Sequence, residues 1–192
     1  YTKKDYHDWV YQEGINAKLP PIVSTETSIN MNYNGIRIKI GVGIHDSSAA
    51  LLPYVRSVKE KFILVSTGTW SIALNPFSEQ LLSEEDMEKD CINYMRINGK
   101  PVKASRLFLG NEYSLQVKEL SEKFGVANDY HKMVKFDYDT FFDIIKNFSY
   151  SFRWKSINID NMPAQTEVPY HKFEHAYHHL MIELVLLQVE SI

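Results

Sequence analysis

A single aspartate stands at a position suited to proton transfer. In the stretch Gly41-Val-Gly-Ile-His-Asp46-Ser-Ser, an alternating apolar segment gives way to a polar cluster, and a run of small apolar residues follows. This pattern predicts a strand that ends just before Asp46 and a helix that begins there. The glycines at 41 and 43 let the backbone approach a ligand closely. A carboxylate in this place can act as a general base toward a substrate hydroxyl.

A second cluster, Ser66-Thr67-Gly68-Thr69, follows about 20 residues after Asp46, between two short apolar runs that are predicted to be strands. Successive backbone N–H groups in such a turn can bind an anion, and the hydroxyl groups add donors for phosphate. A base at one point and a phosphate-binding turn at another are the minimum that phosphoryl transfer needs.

Each cluster also has a plainer interpretation. Asp46 is of a residue type that commonly caps helices, and one residue can both cap and catalyse. Gly68 and Thr69 are explained equally well as a hairpin turn. His45 can hydrogen-bond the backbone. A Ser/His/Asp hydrolase built on residues 45–47 is excluded, because adjacent residues at a strand end point in different directions.

Taken together, the two motifs resemble the FGGY family of carbohydrate kinases, above all its rhamnulokinase and fuculokinase-like members. The matching patterns are Gly-x-His-Asp-Ser/Thr-x-x-Ala and Ser-x-Gly-Thr-Trp-Ser, and their order and short spacing also match. The match is strongest over residues 36–76. The resemblance implies a ribonuclease-H-like (actin-like) α/β fold, a mixed sheet flanked by helices, with residues 1–35 ending an N-terminal domain and residues 36–192 forming part of the C-terminal domain.

The resemblance also implies roles for individual residues. Asp46 would be the catalytic base, and His45 and Ser47 would contact the sugar. Gly68 and Thr69 would contact the phosphates of ATP.

A looser match covers Arg106-Leu-Phe-Leu-Gly-Asn-Glu-Tyr. It adds Gly110 and Asn111 as further candidates for ATP binding.

The activity implied is transfer of the γ-phosphate of Mg-ATP to a hydroxyl of a ketose such as rhamnulose or fuculose, with ATP and Mg²⁺ as the cofactors. The metal is expected on ATP oxygens and waters, so the prediction names no protein ligand for it. Two alternatives stay open: a non-catalytic actin-like protein that binds nucleotide or sugar, and an inactive fragment. The fragment is expected because the family's N-terminal Asp-x-Gly-Thr loop and its Gly-Gly-rich adenosine segment have no counterpart in the sequence.

Composition narrows the class of partner. The chain has 192 residues, a net charge of −3 and no run of basic residues, so neither nucleic acid nor a membrane surface is indicated. Cys91 is the only cysteine, which excludes an intrachain disulfide and favours a cytoplasmic protein. Sugar and ATP are the expected partners, and homo-oligomerisation is left open.

The elements that must position these residues follow from periodicity. Strands are predicted from Ile36, over 62–65 and over 70–74, with a turn at Asn98-Gly99. Ser, Thr and Asn over Val23–Asn34 favour a linker, and Pro53 is expected to limit the first turn of the helix after Asp46, or to kink it.

Helices are predicted between Leu107 and Gly125, around Phe141–Phe148 and over Phe173–Val189. Four histidines at and just before the start of the last helix could suggest a metal site, although a surface-exposed helix face is the better interpretation. They are His171, His175, His178 and His179.

Overall fold

The computed structural model describes residues 3–147, 150–157 and 168–192. The chain divides into two compact units. The first consists of Tyr1–Ser57 with Met95–Lys100, and the second of Val58–Tyr94 with Pro101–Ile192. Gly35 lies inside the first unit, and the division of the parent protein at that residue stays a prediction. Among the described residues, no helix is both long and apolar enough to cross a bilayer.

The first unit contains one hairpin and one helix of three turns, preceded by short helical turns. Its elements are α1 (Asp8–Gln12), a 3₁₀ turn (Ile15–Lys18), β1 (Ser28–Tyr33), β2 (Ile36–Gly41) and α2 (Asp46–Ser57).

β1 and β2 are joined by the two-residue turn Asn34–Gly35. Both residues have positive φ angles, 50° and 79°, as a two-residue hairpin turn of this kind requires. The ladder closes on Tyr33 opposite Ile36. The predicted linker over Val23–Asn34 is therefore wrong for the part that forms β1. The Asn-Gly pair was a usable signal, but the polar composition around it obscured the strand.

The strand predicted from Ile36 is confirmed as β2, but its apolar face is not buried. Ile36 is 66% exposed and Ile40 is 38% exposed. The register sets Ile40 opposite Ile29 and Ile38 opposite Met31, so the two strands turn their apolar side chains to one side of the ribbon. Alternation identifies a strand from local sequence, whereas burial of its face depends on tertiary contacts that local sequence does not encode.

Helix α2 begins at Asp46, as predicted, but it continues through Pro53 and ends at Ser57. The expectation that Pro53 limits the first turn is wrong. A proline inside a helix removes one backbone hydrogen bond, and here another turn forms beyond it. The Ser57 hydroxyl donates to the Pro53 carbonyl at 2.8 Å and ties the last turn back to that position.

The second unit contains a four-stranded sheet with the order β3-β4-β6-β5. β4 pairs antiparallel with both β3 and β6. The strands are β3 (Leu64–Thr67), β4 (Ser71–Asn75), β5 (Cys91–Met95) and β6 (Pro101–Leu107). The two strands predicted over 62–65 and 70–74 are thus confirmed, each displaced by one or two residues.

The predicted turn at Asn98-Gly99 is confirmed. The amide of Arg96 donates to the Lys100 carbonyl at 2.8 Å, and Gly99 has a φ angle of 77°, which a glycine adopts at little cost.

Helices make up most of the remainder of the second unit. They are α3 (Glu84–Glu88), α4 (Leu109–Phe124), a 3₁₀ turn (Tyr130–Met133), α5 (Tyr138–Lys146) and α6 (Phe173–Glu190). Gly125 ends α4 in a left-handed conformation, as the sequence predicts. The helix predicted around Phe141 is confirmed as α5, while Phe148 lies outside the described residues.

The core of the second unit lies between α4, α6 and an extended segment at residues 150–154. α4 contributes Val117 and Leu120, and the extended segment contributes Phe152, which is 2% exposed. The α6 residues in this core are Phe173, Ala176, Leu180 and Leu184. The sheet and the helices therefore form the mixed α/β architecture that was predicted, with antiparallel pairing on both sides of β4.

Asp86 joins α3 to the sheet. Its carboxylate accepts from the Ser83 amide at 3.0 Å, completing a capping box, and from the Lys103 ammonium of β6 at 2.8 Å. The Lys103 hydrogen bond, followed by the Ser83 amide, lowers the pKa of Asp86 from 3.8 to about 2.

The lowered pKa makes stability depend on pH in a defined direction. A carboxyl whose folded pKa lies below its unfolded value stabilises the protein above the unfolded value, and this contribution is lost as pH falls through the folded value. We expect Asp86→Asn to lower the free energy of unfolding at neutral pH and to flatten its decline between about pH 4 and pH 2. Urea unfolding across that range measures both effects. An Asp86→Asn curve parallel to that of the wild type would contradict this assignment, and Glu85→Gln serves as the control on the same helix.

Candidate active site

Asp46 is the first residue of α2 and is open to solvent, with 93% of its side chain exposed. Its Oδ1 accepts from the Ser47 amide at 2.7 Å and lies 3.0 Å from the His45 Nδ1. An exposed carboxylate with a neighbouring imidazole is accessible to a substrate hydroxyl, as a general base must be. A carboxylate in the first turn of a helix is also stabilised by the positive end of the helix dipole, which gives Asp46 a structural role besides the proposed chemical one.

His45 and Ser47, the two neighbours of Asp46, contact its carboxylate and each other. The Ser47 amide also approaches the His45 Nδ1 at 3.2 Å, so the backbone contact considered for His45 is present. The Ser47 hydroxyl lies 3.4 Å from the Asp46 Oδ1. The structure therefore brings all three predicted residues together at one helix start. Their roles toward a sugar stay predictions.

Gly68 and Thr69 lie in the tight turn between β3 and β4, and both are exposed. The Gly68 amide donates to the Trp70 carbonyl at 2.9 Å, closing the turn. Ser71 follows at the start of β4, and its hydroxyl bonds to the Gln188 side chain of α6. The turn is thus fixed at its base by the sheet and by a helix, while its tip is accessible.

Gly110, in the first turn of α4, sits directly against this turn. Its amide donates to the Thr69 carbonyl at 3.1 Å. A Cβ atom at Gly110 would lie 2.0 Å from the Gly68 carbonyl oxygen and 2.9 Å from the Thr69 Cα. The neighbours are backbone atoms that cannot rotate away, so only glycine fits. We call the contact between Gly110 and Gly68–Thr69 the turn–helix junction.

The junction unites three of the four residues predicted to bind ATP, and Asn111, the fourth, follows Gly110 in the same helical turn. The start of a helix presents N–H groups and a positive dipole end, which favours an anion. Because α4 is 16 residues long, this dipole is fully developed. The turn and the helix start therefore provide groups of the chemical type that binds phosphate, and the role of these four residues in ATP binding stays a prediction.

Three further residues support the turn and were not assigned a role from sequence. The Trp70 ring packs on Phe108 with centroids 4.5 Å apart, and the Arg106 guanidinium lies 5.5 Å from the Trp70 centroid. Arg106 also pairs with Asp90. Their residue types are visible in the sequence, but their packing could not be predicted from it, because it depends on the register in which β6 pairs with β4.

The two groups of candidate residues belong to different compact units. His45, Asp46 and Ser47 lie in the first unit, whereas the turn–helix junction lies in the second.

The prediction that these histidines form a surface-exposed helix face is wrong for two of the three that lie on α6. His178 and His179 are 6% and 0% exposed. His178 accepts from the Asp137 amide at 2.9 Å, and His179 contacts the Tyr170 hydroxyl at 2.6 Å and the Glu183 carboxylate at 2.9 Å. These two histidines therefore serve the core.

His171 and His175, by contrast, are exposed. The described part of the chain contains no group of three or more His, Cys, Asp or Glu side chains that could hold a metal ion.

The family model described as the carbohydrate kinase FGGY C-terminal domain matches residues 59–137. This range contains Gly68, Thr69, Gly110 and Asn111, and it covers less than half of the chain. No curated protein gives a significant match.

A solved structure resembles the whole chain. It is a carbohydrate kinase from Novosphingobium aromaticivorans, with a TM-score of 0.66 and 17% sequence identity over 99% of this chain. The chain spans 44% of that protein. At this identity the likeness shows the fold, and together with the family match it confirms the actin-like α/β class predicted from sequence.

The junction makes a sharp prediction for Gly110→Ala. Alanine is the better helix former by about 1 kcal/mol, so helix propensity alone would stabilise α4. The contact with Gly68 predicts the opposite sign, a loss of about 1–3 kcal/mol from overpacking, because backbone must move. Thermal or urea unfolding measures the difference. Gly43→Ala is the control, since a Cβ there meets nothing within 4 Å. A Gly110→Ala protein as stable as the wild type would show that the junction is looser than described.

Proposed function

We propose that this chain is part of an ATP-dependent sugar kinase of the FGGY family. The observation that carries the proposal is the family match over residues 59–137, within which the structure joins the predicted phosphate turn to the start of α4. The whole-chain likeness to a carbohydrate kinase supports the same class.

In the proposed mechanism, Asp46 accepts the proton of a sugar hydroxyl, and the oxygen so activated attacks the γ-phosphorus of ATP in line. The bond from the γ-phosphorus to the bridging oxygen of the β-phosphate breaks, and ADP leaves. The Gly68 and Gly110 amides already donate to the carbonyls of Trp70 and Thr69. The proposed phosphate donors are therefore the Thr69 amide and hydroxyl and the Asn111 amide, which stabilise the charge that develops on the phosphates. Mg²⁺, carried by the nucleotide oxygens, would neutralise further charge. The chemistry depends mainly on positioning, which a rigid turn supplies.

The acceptor we propose is a ketose, with rhamnulose and fuculose as the leading examples. This part of the proposal is based on the His-Asp-Ser and Gly-Thr-Trp-Ser motifs of the sequence. The proposed contacts to the sugar are made by His45 and Ser47 beside Asp46, because these side chains lie within hydrogen-bond reach of the base.

A non-catalytic nucleotide- or sugar-binding protein is the second candidate. The observation in its favour is that Asp46 lies in the first turn of α2 and already accepts from the Ser47 amide, so the helix dipole gives an aspartate at this position a structural role.

The Asp46→Asn variant separates the two candidates in the natural protein that contains this chain. We expect sugar-dependent ADP formation to fall by a factor of about 10² to 10⁴, the usual contribution of a general base. Binding of ATP should be retained. ADP release is measured against a panel of ketoses and aldoses, and ATP affinity by calorimetry.

The matched control is Asp137→Asn. Asp137 caps α5 by accepting from the Thr140 amide at 2.6 Å, so its loss removes a helix-start carboxylate without touching the proposed base. Asparagine caps a helix about as well as aspartate, so neither variant should lose much stability, and only Asp46→Asn should lose turnover. Equal turnover in the two variants would overturn the catalytic role of Asp46 and favour the binding protein.

A further inference from the structure

Glu112, in the first turn of α4, is a completely buried carboxylate. It lies two residues beyond Gly110 and is 0% exposed. One oxygen, Oε2, accepts from the amides of Lys155 and Ser156 at 2.9 and 2.7 Å and from the Ser156 hydroxyl at 2.8 Å. The other, Oε1, accepts from the Gln116 amide group at 2.7 Å.

Burying a charge is costly unless hydrogen bonds replace the water that is lost. Here four donors replace it, and the positive end of the α4 dipole adds a favourable field at the first turn. The Gln116 amide also donates to the Arg153 carbonyl at 2.8 Å. Glu112 and Gln116 therefore fix the backbone of residues 153–156 to the beginning of α4.

The same extended segment is fixed a second time, to another helix. Glu183 of α6 is 4% exposed and accepts from the Phe152 amide at 3.1 Å and from the Ser151 hydroxyl at 2.8 Å. Two buried glutamates thus bind neighbouring parts of one segment through main-chain N–H groups. Only Glu112 stands in the helical turn that contains Gly110.

We propose that Glu112 is a positioning residue for the phosphate-binding turn, an inference that rests on the function proposed above. The turn–helix junction is a backbone-to-backbone contact with no side chain to absorb a displacement. Any rotation or shift of the first turn of α4 therefore changes the junction directly. By binding this turn to residues 155–156, Glu112 keeps the Gly110 amide on the Thr69 carbonyl and holds the phosphate donors in place.

The test replaces Glu112 by glutamine in the natural protein that contains this chain. The variant keeps the size of the side chain but removes its charge. The new NH₂ group would face the NH₂ group of Gln116, which donates to Glu112 and to the Arg153 carbonyl in the wild type. Glu183→Gln is the matched control, because it also neutralises a buried glutamate that binds the same segment.

Two measurements are made on each variant. The first is amide hydrogen exchange at Gly110, which reports the bond to Thr69. The second is the dissociation constant for Mg-ATP. We expect Glu112→Gln to raise the exchange rate at Gly110, relative to the average over α4, and to weaken ATP binding by about tenfold, the size of one hydrogen bond to a charged group. Glu183→Gln should change neither quantity beyond its global loss of stability.

Ser156→Ala provides a milder variant that keeps the charge and removes one of the four donors. It should shift both quantities in the same direction as Glu112→Gln, but less. If Glu112→Gln and Glu183→Gln change Gly110 exchange and ATP affinity equally, Glu112 is structural only and the inference is overturned. If the wild-type protein binds no ATP, the proposed function fails, whereas the exchange result still decides whether Glu112 holds the junction.

Discussion

The close contact between Gly110 and the Gly68–Thr69 turn is the constraint on which the candidate phosphate site depends. Sheet and helix meet there through main-chain atoms, and the distance from a would-be Cβ to the Gly68 carbonyl leaves no room for any side chain. Packing between side chains can adjust by changing rotamers, but contact between backbones cannot. The position of the turn is therefore set by whatever sets the start of α4, and in this chain that is a buried carboxylate with its four donors.

Much of the fold follows from local sequence, for physical reasons. The strand β2 shows a two-residue period, and Gly125 ends α4 because glycine adopts the left-handed conformation readily. The missed features depend on context. β1 lies in a polar segment and exists because Asn34–Gly35 returns the chain upon itself. Histidine is a polar residue type that is common at protein surfaces. His178 and His179 are nevertheless buried, because hydrogen-bond partners from other segments reach them.

The candidate site also contains residues that could be predicted from the sequence and residues that could not. Spacing and residue type predicted Asp46, Gly68 and Thr69, and the resemblance to a kinase family added Gly110 and Asn111. The structure brings the two glycines and Thr69 into direct contact. The role of Glu112 could not be read from the sequence, because three of its four hydrogen bonds come from residues more than 40 positions away and two of those come from backbone amides. No residue-type pattern marks an amide as a partner.

The way in which Glu112 and Glu183 bind the extended segment has an evolutionary consequence. Both carboxylates accept from main-chain N–H groups, and every residue except proline supplies such a group. The side chain of Arg153 is therefore free to diverge among relatives, whereas the number of residues between Phe152 and Ser156 is not. A single insertion there would separate one carboxylate from its donors. Among homologues, selection on this segment should appear as constant length around two invariant glutamates rather than as a conserved string of letters.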